Sequence, residues 1–179
     1  MPYLGVDLGA KRIGLALGEP GTGVTSPLAV IEARAAVGDN ARAILEVVED
    51  YDVEGIVIGL PLNMDGTEGP QAKLSRALAQ AIRRLLKSIQ GKGGGAAGTW
   101  EVLVRRSIKV YLHDERLTSH AADRRLVDRN LTRKKRKARQ DAVAAQILLE
   151  SFLEDQAPLR TPRTRCRLTP GSPRPPHRS

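Results

Sequence analysis

The sequence contains few cysteines and few aromatic residues. Cysteine occurs once in 179 residues, at Cys166. A single cysteine excludes a disulfide within the chain and a zinc site made of several cysteines, and it favours a reducing compartment. Aromatic residues make up 3% of the chain, so we expect an aliphatic core. Since 41% of the residues are hydrophobic and the length suits one domain, we expect one globular body.

Long apolar runs are also missing. No stretch approaches the roughly 18 apolar residues that a membrane-spanning helix requires. The first predicted strand begins almost at Met1, which leaves no space for a signal or transit peptide. These two absences predict a soluble, cytoplasmic protein with no membrane partner.

Acidic residues are almost absent from two parts of the chain. The segment 156–179 has six arginines, six prolines and no acid, so we predict a disordered tail. The segment 124–139 has nine basic residues against Asp128 alone. Because the formal net charge is +9, the rest of the chain is mildly acidic. Such a concentrated basic segment indicates a polyanion contact, and a solvated charged loop is the alternative.

Hydrophobic periodicity predicts the element order β-β-β-α-β-α-β-α-α within a single domain at 1–155. A Gly-rich insertion at about 91–107 interrupts the pattern and could include a short strand at 100–104. Asp39 is the predicted N-cap of the first helix. The remaining predictions are a hairpin within 3–17, strands at 26–31, 55–59 and 108–112, and helices at 40–51, 71–89, 118–127 and 140–153. This order indicates an α/β fold with a mixed sheet and helices packed on its faces.

Three acids fall at comparable places in this order. Asp7 is near the end of the first strand, Glu115 follows the strand at 108–112, and Asp141 opens the last predicted helix. Because ligands gather at strand ends in α/β sheets, the three carboxylates could converge and hold Mg²⁺ or Mn²⁺. Each acid also has a structural explanation. Asp7 suits a turn, Asp141 suits a helix start, and 114–116 could form a surface ion-pair cluster.

Four stretches together resemble one known family. They are VDLGAKRIGLA at 6–16, IVIGLPLNMDGTE at 56–68, LHDERLT at 112–118 and DAVAAQILLE at 141–150. In this order and spacing they are similar to the YqgF family, also called RuvX, a branch of the ribonuclease H-like superfamily. The resemblance covers most of residues 3–155, although the Gly-rich insertion replaces what resembles a short connection in the family.

The resemblance implies a ribonuclease H-like, mixed five-stranded sheet and a metal-dependent nuclease site. By position in the matched stretches, Asp7, Glu115 and Asp141 would be both the catalytic acids and the ligands of Mg²⁺ or Mn²⁺, and Asp114 could share the second role. The residues implied to bind substrate are Lys11, Arg12, Asn63 and Arg116, together with Arg133, Lys134 and Lys135 of the basic segment.

Members of this family are described both as nucleases that trim the 5′ end of 16S ribosomal RNA precursors and as Holliday-junction resolvase-like proteins. We therefore expect a phosphodiester hydrolase that binds nucleic acid, with precursor ribosomal RNA as the first substrate. A junction resolvase is the nearest alternative, and it predicts a two-fold homodimer. Two further alternatives are a non-catalytic RNA-binding module and an actin-like ATP-binding protein. The second is considered because residues 7–14 also resemble the first phosphate loop of the actin-like fold.

Overall fold

The computed structural model describes residues 1–91, 103, 107–114 and 133–156, with residues 133–139 described by their backbone only. Most of the Gly-rich insertion, the predicted helix at 118–127 and the predicted disordered tail lie outside these residues. Glu115 and Arg116 also lie outside them.

Five strands form one mixed sheet in the order β3-β2-β1-β4-β5. β1 pairs antiparallel with β2 and parallel with β4, which places β1 at the centre of the sheet. β3 and β5 are the two edges, antiparallel and parallel to their neighbours respectively. The strands are β1 Tyr3–Leu8, β2 Arg12–Glu19, β3 Val24–Glu32, β4 Gly55–Leu60 and β5 Lys109–Asp114. The predicted mixed five-stranded sheet is confirmed.

Within the described ranges, three long helices cover the two faces of the sheet. α1 (Val37–Asp50) and α2 (Pro70–Gly91) pack on one face, and α3 (Arg133–Gln156) packs on the other. β4 is buried along its whole length, as expected for an inner strand covered on both faces. Among the described residues, none of these helices is long and apolar enough to cross a membrane.

Three local predictions are wrong. α1 begins at Val37 without a side-chain cap, and Asp39 lies in its first turn, where the helix dipole favours an acid. α3 begins at Arg133 instead of 140. Arginine and lysine are good helix formers although a basic run has no apolar periodicity. In the predicted strand at 100–104, the described residue Leu103 is helical and buried. A short apolar run does not distinguish a strand from a helix by its pattern.

The two faces of the sheet carry different cores. The larger cluster, between the sheet and α1 and α2, is aliphatic, as predicted, with Ile44, Ile58 and Ile82 fully buried. The smaller cluster, beneath α3, contains Phe152 packed against Tyr3 and Tyr111, with ring centroids 5.0–6.1 Å apart. The prediction of an aliphatic core is wrong for this second cluster, because the few aromatic residues are concentrated there.

Glycines let α3 approach the sheet closely. A Cβ atom at Gly5 of β1 would lie 2.7 Å from the carbonyl oxygen of Ala145, and one at Gly18 of β2 would lie 2.8 Å from the Leu149 side chain. At Gly14 of β2, a Cβ atom would overlap the carbonyl oxygen of Asp141. Polar contacts fix the same helix to the edge strand, since the Thr25 hydroxyl donates to Glu150 at 2.6 Å. The backbone of α3 therefore lies directly against β1 and β2.

This close approach predicts a large effect of one added methyl group. Gly5→Ala would push α3 away from β1, so we expect the free energy of unfolding to fall by about 1–3 kcal/mol. Gly38→Ala is the matched control, because Gly38 is exposed in α1 and a Cβ atom there meets nothing within 4 Å. Urea denaturation measures both variants. Equal stabilities of the two variants would contradict the close approach.

Candidate active site

The first acid lies on the strand at the centre of the sheet. Asp7 of β1 pairs in register with Gly14 of β2. Gly5 faces α3, and since side chains alternate along a strand, Asp7 faces α3 as well. The turn between the strands is closed by the Gly9 amide, which donates to the Arg12 carbonyl at 2.9 Å. The hairpin thus holds Asp7 in the interface beneath α3.

The second acid reaches this place from α3. Asp141 lies in the third turn of the helix, so the interpretation of Asp141 as a helix-start residue is wrong. Its backbone oxygen sits over Gly14, the pairing partner of Asp7. Its side-chain oxygen Oδ2 lies 2.7 Å from Nε of Arg12. The same oxygen is buried and accepts no well-directed hydrogen bond from the described residues, so its contact with Arg12 is ionic in character.

The negative charge of Asp141 acts on the Asp7 carboxyl. Burial, together with the smaller effect of the negative charge of Asp141, raises the pKa of Asp7 to about 6. Burial and a neighbouring like charge both disfavour the ionised form. A cation held by Asp7 and Asp141 would offset this cost, because a nearby opposite charge favours the ionised form of a carboxyl group. Asp7 and Asp141 therefore form an acidic pair that fits a hard divalent cation.

The third acid implied by the family resemblance, Glu115, lies outside the described residues. Its neighbour Asp114 is described, at the end of β5. Side-chain alternation places Asp114 on the same face as Leu112, which packs on the α1 and α2 side of the sheet, opposite to Asp7. Within the part of the chain that the structure describes, no three Asp, Glu, His or Cys side chains come together to hold a metal ion.

The predicted cationic residues have different surroundings. Lys11 is exposed at the hairpin turn, whereas Arg12 is half-buried and paired with Asp141. Arg116 lies outside the described residues. Arg133, Lys134 and Lys135 form the first turn of α3, and their side chains are outside the described part. Their roles in binding substrate stay predictions.

The Asn63 loop has its own internal order. Asn63 is exposed, and its side-chain amide donates to the Thr67 hydroxyl at 2.9 Å. That hydroxyl in turn donates to Asp65 at 2.6 Å. Gly66 closes the turn with a φ of 83°, a backbone conformation that favours glycine. The loop follows β4 and leads into α2, so it lies at the same end of the sheet as Asp7. Its described contacts indicate a rigid turn.

Two residues of the site were missed by sequence reasoning. Gly14 lies within the predicted hairpin, but it also provides the space that the Asp141 backbone occupies beside Asp7. Gln71, at the start of α2, donates its side-chain amide to the carbonyl oxygen of Leu8 and so ties α2 to the end of β1. The positions of both lie within or next to the matched stretches, but their partners are far away in the sequence.

The raised pKa of Asp7 predicts a pH-dependent stability in metal-free protein. An unfolded aspartate has a pKa of about 3.9. The folded protein therefore binds more protons between about pH 4 and pH 6, and its free energy of unfolding falls as the pH rises through this window. Asp7→Asn should remove this decrease in the free energy of unfolding, because asparagine does not ionise. We expect the variant to gain at most about 3 kcal/mol over the parent above pH 6, and less where water reaches the carboxyl group.

Urea denaturation in chelator at several pH values between 4 and 8 tests this expectation. Asp50→Asn is the matched control, since it makes the same change at an exposed acid of α1. If Asp7→Asn and Asp50→Asn respond to pH in the same way, burial of Asp7 does not raise its pKa.

Comparison with known proteins identifies the family of the chain. The family model described as RuvX, Holliday junction resolvase, matches residues 1–93 and 95–155. A protein of Anaeromyxobacter dehalogenans (strain 2CP-1 / ATCC BAA-258), provisionally named a pre-16S rRNA nuclease, is 38% identical over 158 residues, which cover 88% of this chain and 100% of that protein. A protein of Roseiflexus sp. (strain RS-1) with the same name is 36% identical over 154 residues, which cover 86% of this chain and 94% of that protein.

Among solved structures, RuvC of T. thermophilus in complex with a Holliday junction substrate is similar at a TM-score of 0.47. Its sequence is 14% identical, and the match covers 87% of this chain and 95% of that one. The family match extends over nearly all of residues 1–155 and includes both Asp7 and Asp141. The chain therefore belongs to the RuvX family.

Proposed function

We propose that this chain is a divalent-metal-dependent nuclease that processes the 5′ end of pre-16S ribosomal RNA. The observation that carries the proposal is the buried Asp7 carboxyl, whose pKa is raised by burial and by Asp141. The Asp7 carboxyl is costly to ionise without a cation, and perturbed acids of this kind are characteristic of functional sites. The relatives from A. dehalogenans and Roseiflexus, named as pre-16S rRNA nucleases, support the choice of substrate.

Asp7 and Asp141 would hold Mg²⁺ or Mn²⁺, with Glu115 as the proposed third ligand. Carboxylate oxygens are the ligands that these hard cations prefer. When bound, such a cation lowers the pKa of a coordinated water and offsets the charge of a phosphodiester. The chain supplies the fixed positions, because Asp7 is held in the central strand and Asp141 is held by the contact of α3 with Gly14.

Basic residues around the acidic pair would bind the phosphate backbone. Arg12 brings its guanidinium to within 2.7 Å of Asp141, so positive charge is already present beside the carboxylates. Lys11 is exposed one residue away. The basic segment 124–139, with Arg133, Lys134 and Lys135, and Arg116 after β5 would extend this contact. The protein would act in the cytoplasm, where ribosomal precursors are processed in bacteria.

A junction resolvase is the second candidate, because the matching family is described as Holliday junction resolvase. The chemistry would be the same, and the two candidates differ in substrate and assembly. Symmetric cutting of a four-way junction requires a two-fold homodimer. Light scattering of the full chain, together with cleavage of a four-way DNA junction, distinguishes this candidate from an RNA nuclease.

Loss of either acid should abolish cleavage. In a Mg²⁺-dependent assay on pre-16S RNA, Asp7→Asn and Asp141→Asn should each lower the rate by about 100-fold or more, because each removes a proposed cation ligand. Asp50→Asn, at an exposed position of α1, should cleave like the parent. A parent protein that binds the RNA but does not cleave it with Mg²⁺ or Mn²⁺ would point instead to a non-catalytic RNA-binding module.

Lys11 should strengthen RNA binding through its charge, without a preference for particular RNA sequences. Lys11→Ala should weaken binding of different RNA sequences to a similar extent, and it should reduce the slope of log affinity against log salt by about one. Lys87→Ala is the comparison, because it removes the same charge from an exposed position late in α2. Anisotropy titrations at several salt concentrations measure both slopes. Identical slopes for the two variants would argue against a phosphate contact at Lys11.

A further inference from the structure

A cavity lies beside the strand that carries Asp7, on the opposite face of the sheet. It has a volume of about 200 Å³ and begins at Leu8, the residue after Asp7. Most of its wall is apolar. The residues that give this character are Leu8, Ala33, Val37, Leu74 and Leu78. Leu74 is 46% exposed, so the cavity opens to solvent with an apolar side chain at its mouth.

The segments that form the cavity are tied to each other. The buried Asn40 accepts a hydrogen bond from the Arg34 amide at 2.7 Å and donates one to the Arg34 carbonyl at 2.9 Å. The Ala33 amide donates to the Lys11 carbonyl at 3.0 Å, which joins the end of β3 to the hairpin turn. Gln71 joins α2 to Leu8. A cavity fixed in this way is formed before a ligand arrives, which lowers the entropic cost of binding.

Size and charge together limit what the cavity would bind. An apolar cavity of about 150 Å³ in another protein holds benzene, so this slightly larger space suits one flat, mainly apolar ring system. Arg34 is the charged residue among those that line it, and Lys11 is exposed in the adjoining turn. A ring ligand carrying negative charge beside it would complement these cations. A nucleotide has both properties.

We propose that this cavity receives one unpaired nucleobase of the RNA strand next to the phosphate at the Asp7–Asp141 pair. The strand would pass over the end of β1, where Gly9 and Ala10 are exposed and too small to obstruct it. The oxygen and the nitrogen of the Asn40 side-chain amide are both hydrogen-bonded to the backbone of Arg34. Asn40 therefore has little capacity to read the edge of a base. The cavity would therefore accept different bases, provided that the base is unpaired.

This inference rests on the proposed function and makes it more specific. A base inserted in a cavity has left its stack and its pair, and recognition of RNA by proteins mostly uses such unstacked bases. The substrate class is then an RNA with a single-stranded stretch at the cut, and a fully paired strand would bind less well.

The test compares an ordinary single-stranded RNA with a strand of equal length whose riboses carry no bases. The two strands have the same charge, so their affinities differ only through base contacts. Ala33→Leu would fill the cavity while keeping the Ala33 backbone bond. Ala29→Leu is the matched control, since it makes the same change at an exposed position on β3. Binding is measured by fluorescence anisotropy of the full chain in chelator, which prevents metal-dependent cleavage.

We expect Ala33→Leu to weaken binding of the ordinary strand by about tenfold, the size of one base contact. Its affinity for the base-free strand should equal that of the parent, and this equality also shows that the variant is folded. Ala29→Leu should match the parent with both strands. If Ala33→Leu binds the ordinary strand as tightly as the parent does, the cavity does not hold a base, and an apolar protein side chain becomes the better occupant.

The two proposals fail in different ways. A parent that cleaves pre-16S RNA while Ala33→Leu and Ala29→Leu bind the ordinary strand equally well would overturn the cavity assignment and leave the proposed function intact. A parent that neither binds nor cleaves RNA would overturn both.

Discussion

The contact between α3 and the glycines of β1 and β2 is the constraint on which the site depends. A side chain at Gly14 would occupy the space of the Asp141 backbone, and a side chain at Gly5 would displace the next turns of the helix. Because the helix lies this close, Asp141 reaches the strand position that pairs with Asp7. Packing and chemistry therefore use the same few residues in this interface.

The electrostatics follow from that packing. A carboxyl group buried under a helix loses hydration, and a second carboxyl group nearby adds repulsion, so the pKa of Asp7 rises. Arg12 offsets part of the charge through its contact with Asp141. The aromatic cluster around Phe152 fixes the other end of α3 on the same face of the sheet, away from the charged groups. One helix thus has an apolar region around Phe152 and a charged region around Asp141.

Much of this arrangement could be predicted from the sequence. The mixed sheet follows from apolar runs and turn residues, and the matched stretches single out Asp7 and Asp141 as candidate site residues. The start of α3 could not be predicted, because a run of basic residues has helical propensity but no apolar period. The contact of Arg12 with Asp141 and the space at Gly14 could not be predicted either. Both depend on residues more than 120 positions apart, and local patterns do not specify such contacts.

The distance in sequence between Asp7 and Asp141 also affects how the protein is made. A ribosome synthesises the chain from its N-terminus, at about 5–20 residues per second in general. A nascent chain that has exposed the five strands holds Asp7 but still lacks Asp141, which comes 134 residues later. The paired carboxylates can form only when α3 has emerged and docked. An incomplete chain therefore has no assembled acidic pair.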